Sequence, residues 1–204
     1  MRNIIVATLC IAAAAMAGCS QTDDTTGMKK SDEAIEAIMT RASVRKFKAE
    51  KLSEAQMETL LRAGMAAPSA VNKQPWEFVV VDDRTLLDSI QAALPNTRIA
   101  DGCQQVIVVC GNEEKALEGE SKAYWVQDCS AATENILIAA HAIGLGAVWC
   151  GVTPIKERMT KLAELLKTPS YIKPLAVICV GVPAETPAVK DKWKPENVHK
   201  NDKW

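Results

Sequence analysis

The sequence predicts one domain in which α-helices and β-strands alternate, and three observations support this fold class. The chain has 204 residues, of which 48% are hydrophobic, enough to fill one core of ordinary size. Several segments repeat apolar residues at helical spacing, and others are short β-branched runs that end in Gly, Asn or Asp. No repeat or second linker interrupts residues 31–204, which we treat as one domain. The alternation alone suggests a parallel α/β sheet.

Four helices are predicted from their start and stop signals. The first begins after the capping residue Ser31 and ends near Thr40. The second begins with the capping box at residues 53–56 and stops before Pro68. The third and longest spans residues 121–143, and the fourth starts at Thr153-Pro154, with Thr as N-cap and Pro in the first helical position.

Four strands are predicted between or after these helices. They cover residues 78–81, 106–110, 147–150 and 175–180, each a short run of mostly apolar residues. The tail from Pro183 to Trp204 contains three prolines and shows no clean period, so it needs a surface on which to pack.

Composition excludes several classes of partner. The formal net charge is -1, so no global field draws the chain onto nucleic acid or an anionic membrane. Only 4% of the residues are aromatic and two are His, which leaves little material for base stacking or for a His-rich metal site. We therefore expect no nucleic-acid partner and no metal centre.

The N-terminus is predicted to direct export. Residues 1–18 combine a positive start, an apolar stretch and small residues, as in a secretory signal peptide. Met16-Ala17-Gly18-Cys19 resembles the lipobox of bacterial lipoproteins, with Met16 where a branched aliphatic residue is commoner. Cys19 would then be lipidated and residues 19–30 would form a flexible tether, which places the protein on the bacterial cell envelope with the lipid as its only membrane contact.

Several single residues favour a structural role. Cys103, Cys110, Cys129, Cys150 and Cys179 remain after processing, and most sit inside apolar runs typical of small buried hydrophobes, although a disulfide between two of them stays open. His141 and His199 are interpreted as structural residues. Trp125, Trp149 and Trp193 are interpreted as packing residues, with the wall of a ligand pocket as the alternative.

Two segments carry candidate chemistry. Arg41-Ala42-Ser43-Val44-Arg45 places two guanidinium groups and a hydroxyl close together, which suits an organic phosphate, although three polar residues at a helix edge are more often simply solvated. The string from Ala67 to Phe78, APSAVNKQPWEF, joins a helix end to a strand through two prolines and several polar donors.

Together these segments resemble the nitroreductase family, the flavin-dependent NAD(P)H oxidoreductases, over residues 31–204. Further marks are Gly144-Leu145-Gly146 before residues 147–151, and Gly181-Val182-Pro183-Ala184-Glu185 with Lys190 and Lys192. The resemblance implies an α+β fold with a mixed sheet wrapped by helices. It also implies a homodimer with FMN in the interface and a C-terminal extension that lies on the partner.

The resemblance assigns roles to five basic or hydroxyl side chains. Arg41 and Ser43 match the phosphate-binding positions, and Arg45 matches a basic residue near the pyrimidine edge of the flavin. A positive charge there would stabilise the reduced, anionic ring. Lys190 and Lys192 match a basic pair that closes on the FMN phosphate, with solvated tail lysines as the alternative.

Four further positions are implied to contact the flavin. Ser69 matches a residue that reaches the ring from the partner subunit, and Asn72 lies in the same loop. Cys150 and Gly151 match the place where backbone N–H groups face flavin N5, so the Cys150 side chain is interpreted as packing.

The family's activity is implied as well. Hydride would pass from NADH or NADPH through flavin N5 to a nitroaromatic, a quinone or a similar acceptor. Two alternatives stay open: other flavin chemistry on the same fold, such as reductive dehalogenation or FMN fragmentation, and a non-catalytic flavin-holding envelope protein. Reduced nicotinamides are scarce outside the cytoplasm, so a membrane quinol or a protein partner is an alternative electron donor.

Overall fold

The computed structural model describes residues 25–201 of the chain. The predicted signal peptide and the predicted lipidation site Cys19 lie outside the described residues. Within them, five α-helices and four β-strands are joined by short turns. None of these helices is long and apolar enough to span a membrane.

A single antiparallel sheet forms the centre of the described chain. Its strands are β1 (Trp76–Val81), β2 (Gln105–Asn112), β3 (Gly146–Gly151) and β4 (Ile172–Gly181), in the order β1-β2-β4-β3. Each predicted strand is confirmed and is longer than its apolar run by one to three residues, at both ends in β2, β3 and β4 and only at the start in β1.

The predicted α+β class is confirmed, with one difference in strand direction. The pairings β1·β2, β2·β4 and β3·β4 are all antiparallel, where the resemblance implied a mixed sheet and the bare alternation a parallel one. A continuous apolar run indicates a strand that is covered on both faces, but it does not indicate whether the strand runs parallel or antiparallel to its neighbours. Strand direction is therefore set by the packing of the connecting helices.

Helices cover both faces of the sheet. The helices are α1 (Thr25–Thr40), α2 (Glu54–Met65), α3 (Arg84–Ala93), α4 (Tyr124–Ala142) and α5 (Lys156–Leu166). Helices α2 and α4 pack on one face, where β2 presents Ile107 and Val109. Helices α3 and α5 pack on the other, where β2 presents Val106 and Val108. This alternation is the period-two pattern of a strand that is buried on both sides.

Three helix predictions need correction. Helix α1 begins at Thr25 rather than after Ser31, because a capping-type residue is also tolerated inside a helix. Helix α5 begins at Lys156 with Ile155 as its N-cap. The Thr153 hydroxyl does not cap it but donates to the carbonyl of Pro174 at 2.6 Å. Helix α3 was missed, although Asp83 is a side-chain cap for it, accepting the Leu86 N–H at 2.8 Å.

The apolar stripe of helix α4 is buried within one protomer. The stripe needs no dimer seam to cover it, because its members are buried against α2 and the sheet: Trp125, Cys129, Ala132, Thr133, Ile136, Leu137 and Ala140. Gly111 on β2 allows this close packing, since a Cβ there would lie 2.2 Å from a carbon of the Trp125 ring. The intramolecular core therefore accounts for the pattern without a second subunit.

The interpretation of the cysteines as small buried hydrophobes is confirmed. All five in the described chain are free, and only Cys150 is more than slightly exposed. Burial raises the pKa of the Cys110 thiol to about 12. Burial also raises the pKa of Cys129, with a smaller contribution from the nearby Asp128 carboxylate. Trp125 packs in the core as predicted, whereas Trp193 is 70% exposed.

Candidate functional site

Residues 41–48, the pinned segment, carry the Arg41–Arg45 motif and are hydrogen-bonded to the edge of the sheet. Val44 N–H donates to the Ala147 carbonyl of β3 at 3.1 Å, and Lys48 N–H donates to the Val182 carbonyl at 2.9 Å. Val44 and Phe47 are buried. Gly146 permits the approach, because a Cβ there would lie 2.7 Å from Val44 Cγ1. Between these two buried side chains, Arg45 and Lys46 are exposed.

Arg41 is held by an acidic residue of α4. Its Nε lies 3.0 Å from Glu134 Oε1, and the Arg41 side chain is only 18% exposed. A guanidinium has five N–H donors, so a carboxylate at Nε orients the group and leaves capacity for a second anion. Glu134 had no assigned role in the sequence, and the structure shows it as the residue that positions Arg41.

Ser43 and Arg45 line one cleft with cationic neighbours. The cleft has a volume of about 380 Å³ and is also lined by Lys46, Arg98, Asp101, Glu185 and Pro187. Arg45 folds back so that one terminal nitrogen donates to the Ser43 carbonyl at 3.2 Å. The structure thus confirms that this pair lies together and adds two cations, Lys46 and Arg98, which sequence reasoning did not find.

Glu185 fixes the geometry of this cleft. Its Oε1 accepts the N–H of Arg45 at 2.7 Å and the N–H of Lys46 at 3.1 Å. Because this carboxylate is engaged with backbone donors, its charge is directed at the amides and not at the guanidinium of Arg45. The only sequence signal for Glu185 was its place at the end of the Gly181–Glu185 landmark.

The loop that contains Ser69 and Asn72 has an unusual backbone. Val71, Asn72 and Gln74 have positive φ angles of 51°, 54° and 50°. Such angles are rare for residues other than Gly, and most of all for a β-branched residue such as Val. Backbone strain of this kind persists only where the surroundings fix it, and it is common at ligand-binding loops.

Two sets of hydrogen bonds hold this loop. Inside the loop, Ser69 Oγ accepts the Gln74 N–H at 2.9 Å, and Asn72 Oδ1 accepts from the Gln74 side chain at 3.0 Å. From outside, Asp128 Oδ1 on α4 accepts the Ala70 N–H at 2.8 Å, and Asp128 is one of the few buried charged residues. A carboxylate inside the apolar stripe of α4 was the signal available in the sequence.

Cys150 and Gly151 end the edge strand β3. A Cβ at Gly151 would meet no atom within 4 Å, so space is open above this backbone. The Gly151 carbonyl accepts from Arg158 at 3.0 Å. An edge strand presents backbone groups that no neighbouring strand uses, which is the arrangement that a backbone contact to a ligand requires.

One protomer does not bring all predicted residues together. Lys190 and Lys192 are exposed in the tail after β4, and Ser69 and Asn72 lie in the loop beside the first half of α4. Ser43 and Arg45 share a cleft, while Arg41 faces Glu134. Within residues 25–201, no group of three or more His, Cys, Asp or Glu side chains is arranged to hold a metal ion.

His141 has the structural role that the sequence suggested. The Thr40 hydroxyl donates to the Glu36 carbonyl at 2.6 Å, so its oxygen accepts from His141 Nε2 at 2.9 Å. This contact joins the end of α1 to the end of α4, directly before the basic segment begins.

Comparison with known proteins assigns these features to one family. The sequence model "Nitroreductase family" matches residues 38–105 and 86–182. A Methanothermobacter thermautotrophicus protein, "Putative NADH dehydrogenase/NAD(P)H nitroreductase", is 39% identical over 173 residues, which are 84% of this chain and 88% of that protein. A crystal structure of a Parabacteroides distasonis protein with the same name is 41% identical with a TM-score of 0.78, over 83% of this chain and 98% of that one.

A further solved structure contains the cofactor that the resemblance implied. It is described as "a putative nitroreductase in complex with fmn" from Desulfovibrio desulfuricans. It is 29% identical to this chain with a TM-score of 0.70, and the match covers 83% of this chain and 96% of that one.

Asp128 is predicted to hold the Ser69–Gln74 loop in place. Asp128→Ala removes the acceptor for the Ala70 N–H, and leaving a buried donor without a partner costs about 1–3 kcal/mol. Because each 1.4 kcal/mol is about a factor of ten, we expect amide hydrogen exchange in residues 70–74 to accelerate by roughly 10–100-fold.

Asp128→Asn is the matched control, because it retains an oxygen that can accept this bond. Exchange in helix α5, on the opposite face of the sheet, should be unchanged in both variants. Equal acceleration in Asp128→Ala and Asp128→Asn would show that the hydrogen bond is not what holds the loop.

Proposed function

This chain belongs to the nitroreductase family of oxidoreductases, and from that premise we propose that it binds FMN and transfers electrons from a reduced nicotinamide to an organic acceptor. The observation that carries the proposal is the pinned segment, on which Ser43 and Arg45 line the cleft and Arg41 is oriented by Glu134, so that two guanidinium groups and a hydroxyl lie within five residues. Nitroaromatics and quinones are the acceptors we propose.

The side chains present fit a phosphorylated flavin. Arg41, oriented by Glu134, and Ser43 supply charge-assisted and neutral donors for a phosphate. The open space over Gly151 leaves room for a planar ring against the backbone of Cys150 and Gly151. No side-chain identity is required at a backbone contact, so Cys150 is compatible with this role.

The positive cleft suits the charge change of flavin reduction. When bound, FMN supplies the redox chemistry, accepting a hydride at N5 and passing its electrons on. Arg45, Lys46 and Arg98 line the same cleft. Their fixed charges would stabilise a ring that becomes anionic on reduction. The hydrogen bond that the Arg45 N–H donates to Glu185 holds the backbone of Arg45 in place.

We propose that the functional unit is a homodimer. The tail exposes Val189 and Trp193 at 56% and 70%, together with Lys190 and Lys192. Exposed apolar side chains of this size indicate a surface that a partner subunit covers. In a dimer the tail lysines and the Ser69–Asn72 loop of one subunit would complete the phosphate and ring contacts of the other.

We also propose that the protein is exported and anchored to the envelope through lipid on Cys19. Support comes from the lipobox-like sequence at residues 16–19. Anchoring on the envelope bears on the electron donor, because a membrane quinol or a protein partner would then compete with NADH or NADPH for the role.

FMN binding is predicted to depend on the pinned segment. The purified protein should show a visible flavin spectrum, and Arg41→Gln or Ser43→Ala should raise the Kd for FMN. Hydrogen bonds to charged groups contribute about 1.5–3 kcal/mol, so we expect a loss of roughly 10–100-fold for each variant. Fluorescence quenching of free FMN measures the Kd.

Arg84→Gln serves as the control, because Arg84 is an exposed arginine paired with Asp88 on α3. Its Kd should match that of the wild type. A protein that stays colourless after incubation with FMN, or a Kd unchanged in all three variants, would refute the binding proposal.

Reduction of the bound flavin separates an enzyme from a flavin-holding protein. Anaerobic stopped-flow mixing with NADH, NADPH or a reduced quinol should bleach the flavin absorbance with at least one of these donors. Re-oxidation by a nitroaromatic or a quinone should then restore it. No bleaching by any of the three would favour the flavin-holding alternative, and restoration only by a halogenated aromatic would favour dehalogenation.

Lipidation is tested in cells of a bacterial expression host. The wild-type chain should incorporate labelled fatty acid and sediment with membranes, whereas Cys19→Ser should do neither. Cys10→Ser, which changes a cysteine inside the predicted signal peptide, is the control and should retain both properties. Soluble, unlabelled wild-type protein would disprove the anchor.

A further inference from the structure

Three thiols meet on the face of the sheet that α3 and α5 cover. Cys150 on β3 and Cys179 on β4 project to this face, where Cys103 also packs. Cys150 pairs in register with Val177, and Val148 pairs with Cys179, so Cys150 and Cys179 are diagonal neighbours on adjacent strands. Cys103 and Cys179 are fully buried, whereas Cys150 is half-exposed at the strand end.

A firmly held loop surrounds the Cys150 sulfur. Its Sγ lies 3.9 Å from the Asn96 carbonyl oxygen. The loop is fixed by buried Thr97, whose hydroxyl donates to the Leu94 carbonyl at 2.9 Å, and by the buried side chains of Leu94 and Ile99. This loop also carries Arg98, which lines the neighbouring cleft with Arg45.

The surroundings of Cys150 favour its thiolate. A hydrogen bond from the Cys179 thiol is the largest cause that lowers the pKa of Cys150. The backbone N–H of Arg98 and the positive charges of Arg98 and Arg45 act in the same direction, and together they outweigh burial. Nucleophilic cysteines occur in electropositive, partly exposed surroundings of this kind, whereas fully buried ones are inert.

A small cleft gives access to the sulfur. It has a volume of about 40 Å³ and is lined by Leu94, Pro95, Asn96, Thr97, Cys150, Gly151 and Arg158. A cavity needs roughly 10–15 Å³ to admit one water, so this cleft accommodates a molecule with two or three heavy atoms. Hydrogen peroxide is an oxidant of that size.

We propose that Cys150 is a modification site at which hydrogen peroxide oxidises the thiolate to a sulfenic acid. The sulfur attacks one peroxide oxygen, the S–O bond forms as the O–O bond breaks, and the departing hydroxide takes up a proton to become water. Cysteine loses two electrons and peroxide gains them. The inference does not depend on FMN binding, so either proposal can fail without the other.

The strand register decides between a sulfenic acid and a disulfide. Diagonal neighbours on antiparallel strands lie about 7–8 Å apart. Cysteines more than roughly 7 Å apart between Cα atoms cannot be bridged unless the backbone moves. Cys179 donates a hydrogen bond to the thiolate, and because the two Cα atoms are diagonal neighbours we expect the sulfenic acid, not a disulfide, as the product.

The test treats the full-length protein as purified with hydrogen peroxide in the presence of dimedone, which traps sulfenic acids, and measures each cysteine peptide by mass spectrometry. We expect the Cys150 peptide to be labelled at least about tenfold faster than the Cys110 peptide, because each unit of pKa changes the thiolate fraction about tenfold. Cys150→Ser should abolish the label.

Charge dependence distinguishes an activated thiol from one that is merely exposed. Arg98→Gln should slow labelling of Cys150 several-fold at neutral pH and move the midpoint of its pH profile upward. Arg62→Gln is the matched control, because Arg62 is an exposed arginine on α2, on the other face of the sheet, and is paired with Glu58. It should leave the profile unchanged.

Three outcomes would overturn the proposal. The first is labelling of Cys150 no faster than that of Cys110. The second is an equal pH profile in the wild type and Arg98→Gln. The third is a Cys150–Cys179 disulfide as the main product in place of the trapped sulfenic acid.

Discussion

Burial of helix α4 against the sheet is the constraint on which the rest of the site depends. Its apolar face packs on β2, β4 and α2, with Trp125 lying over Gly111 and Ile136 fully buried. Apolar packing of this extent fixes the rotation of a helix as well as its position, because interiors are close-packed. The polar side chains of α4 are consequently held where the core puts them.

Two carboxylates on that helix position two separate parts of the site. Asp128 holds the Ser69–Gln74 loop through the Ala70 N–H, and Glu134 holds the Arg41 guanidinium. They are six residues apart, which corresponds to about 9 Å along a helix that rises 1.5 Å per residue. One rigid element therefore sets the placement of a strained loop and of a cationic side chain. This arrangement reduces the conformational entropy that binding a ligand would otherwise cost.

Local charge, not net charge, defines the character of the site. The formal net charge of the chain is -1, yet Arg45, Lys46 and Arg98 line one cleft and Arg41 lies on the same segment as Arg45. The acidic residues nearby have partners as well: Asp101 lies 3.7 Å from Arg98 in the same cleft, Glu185 accepts from backbone amides, and Glu134 binds the Nε of Arg41. Arg98 contributes both to this cleft, which it lines, and to the surroundings of Cys150, where its backbone N–H lowers the pKa of the thiol.

Except for helix α3, sequence patterns were sufficient where a local rule determined the outcome. The capping box at Ser53, the β-branched strands and the long stripe of α4 follow from neighbours a few residues away, and the resemblance to the nitroreductase family rested on contiguous strings such as the one from Ala67 to Phe78. Ser31 and Thr153 show the limit. Each is a residue type that caps helices, but the helix around Ser31 continues through it, and the Thr153 hydroxyl bonds to Pro174, which is 21 residues away along the chain.

By itself, the sequence determined the basic segment that holds Arg41, Ser43 and Arg45 and the family that its motifs resemble, and the α+β class followed from that resemblance, because motifs depend on residue identity and short spacing. Only the tertiary structure decided the antiparallel direction of the strands, the pairing of Arg41 with Glu134 and the placement of Arg98 beside Arg45 and Cys150. These contacts join residues tens of positions apart, and a long-range contact is set by how the helices pack on the sheet. No local spacing records that packing.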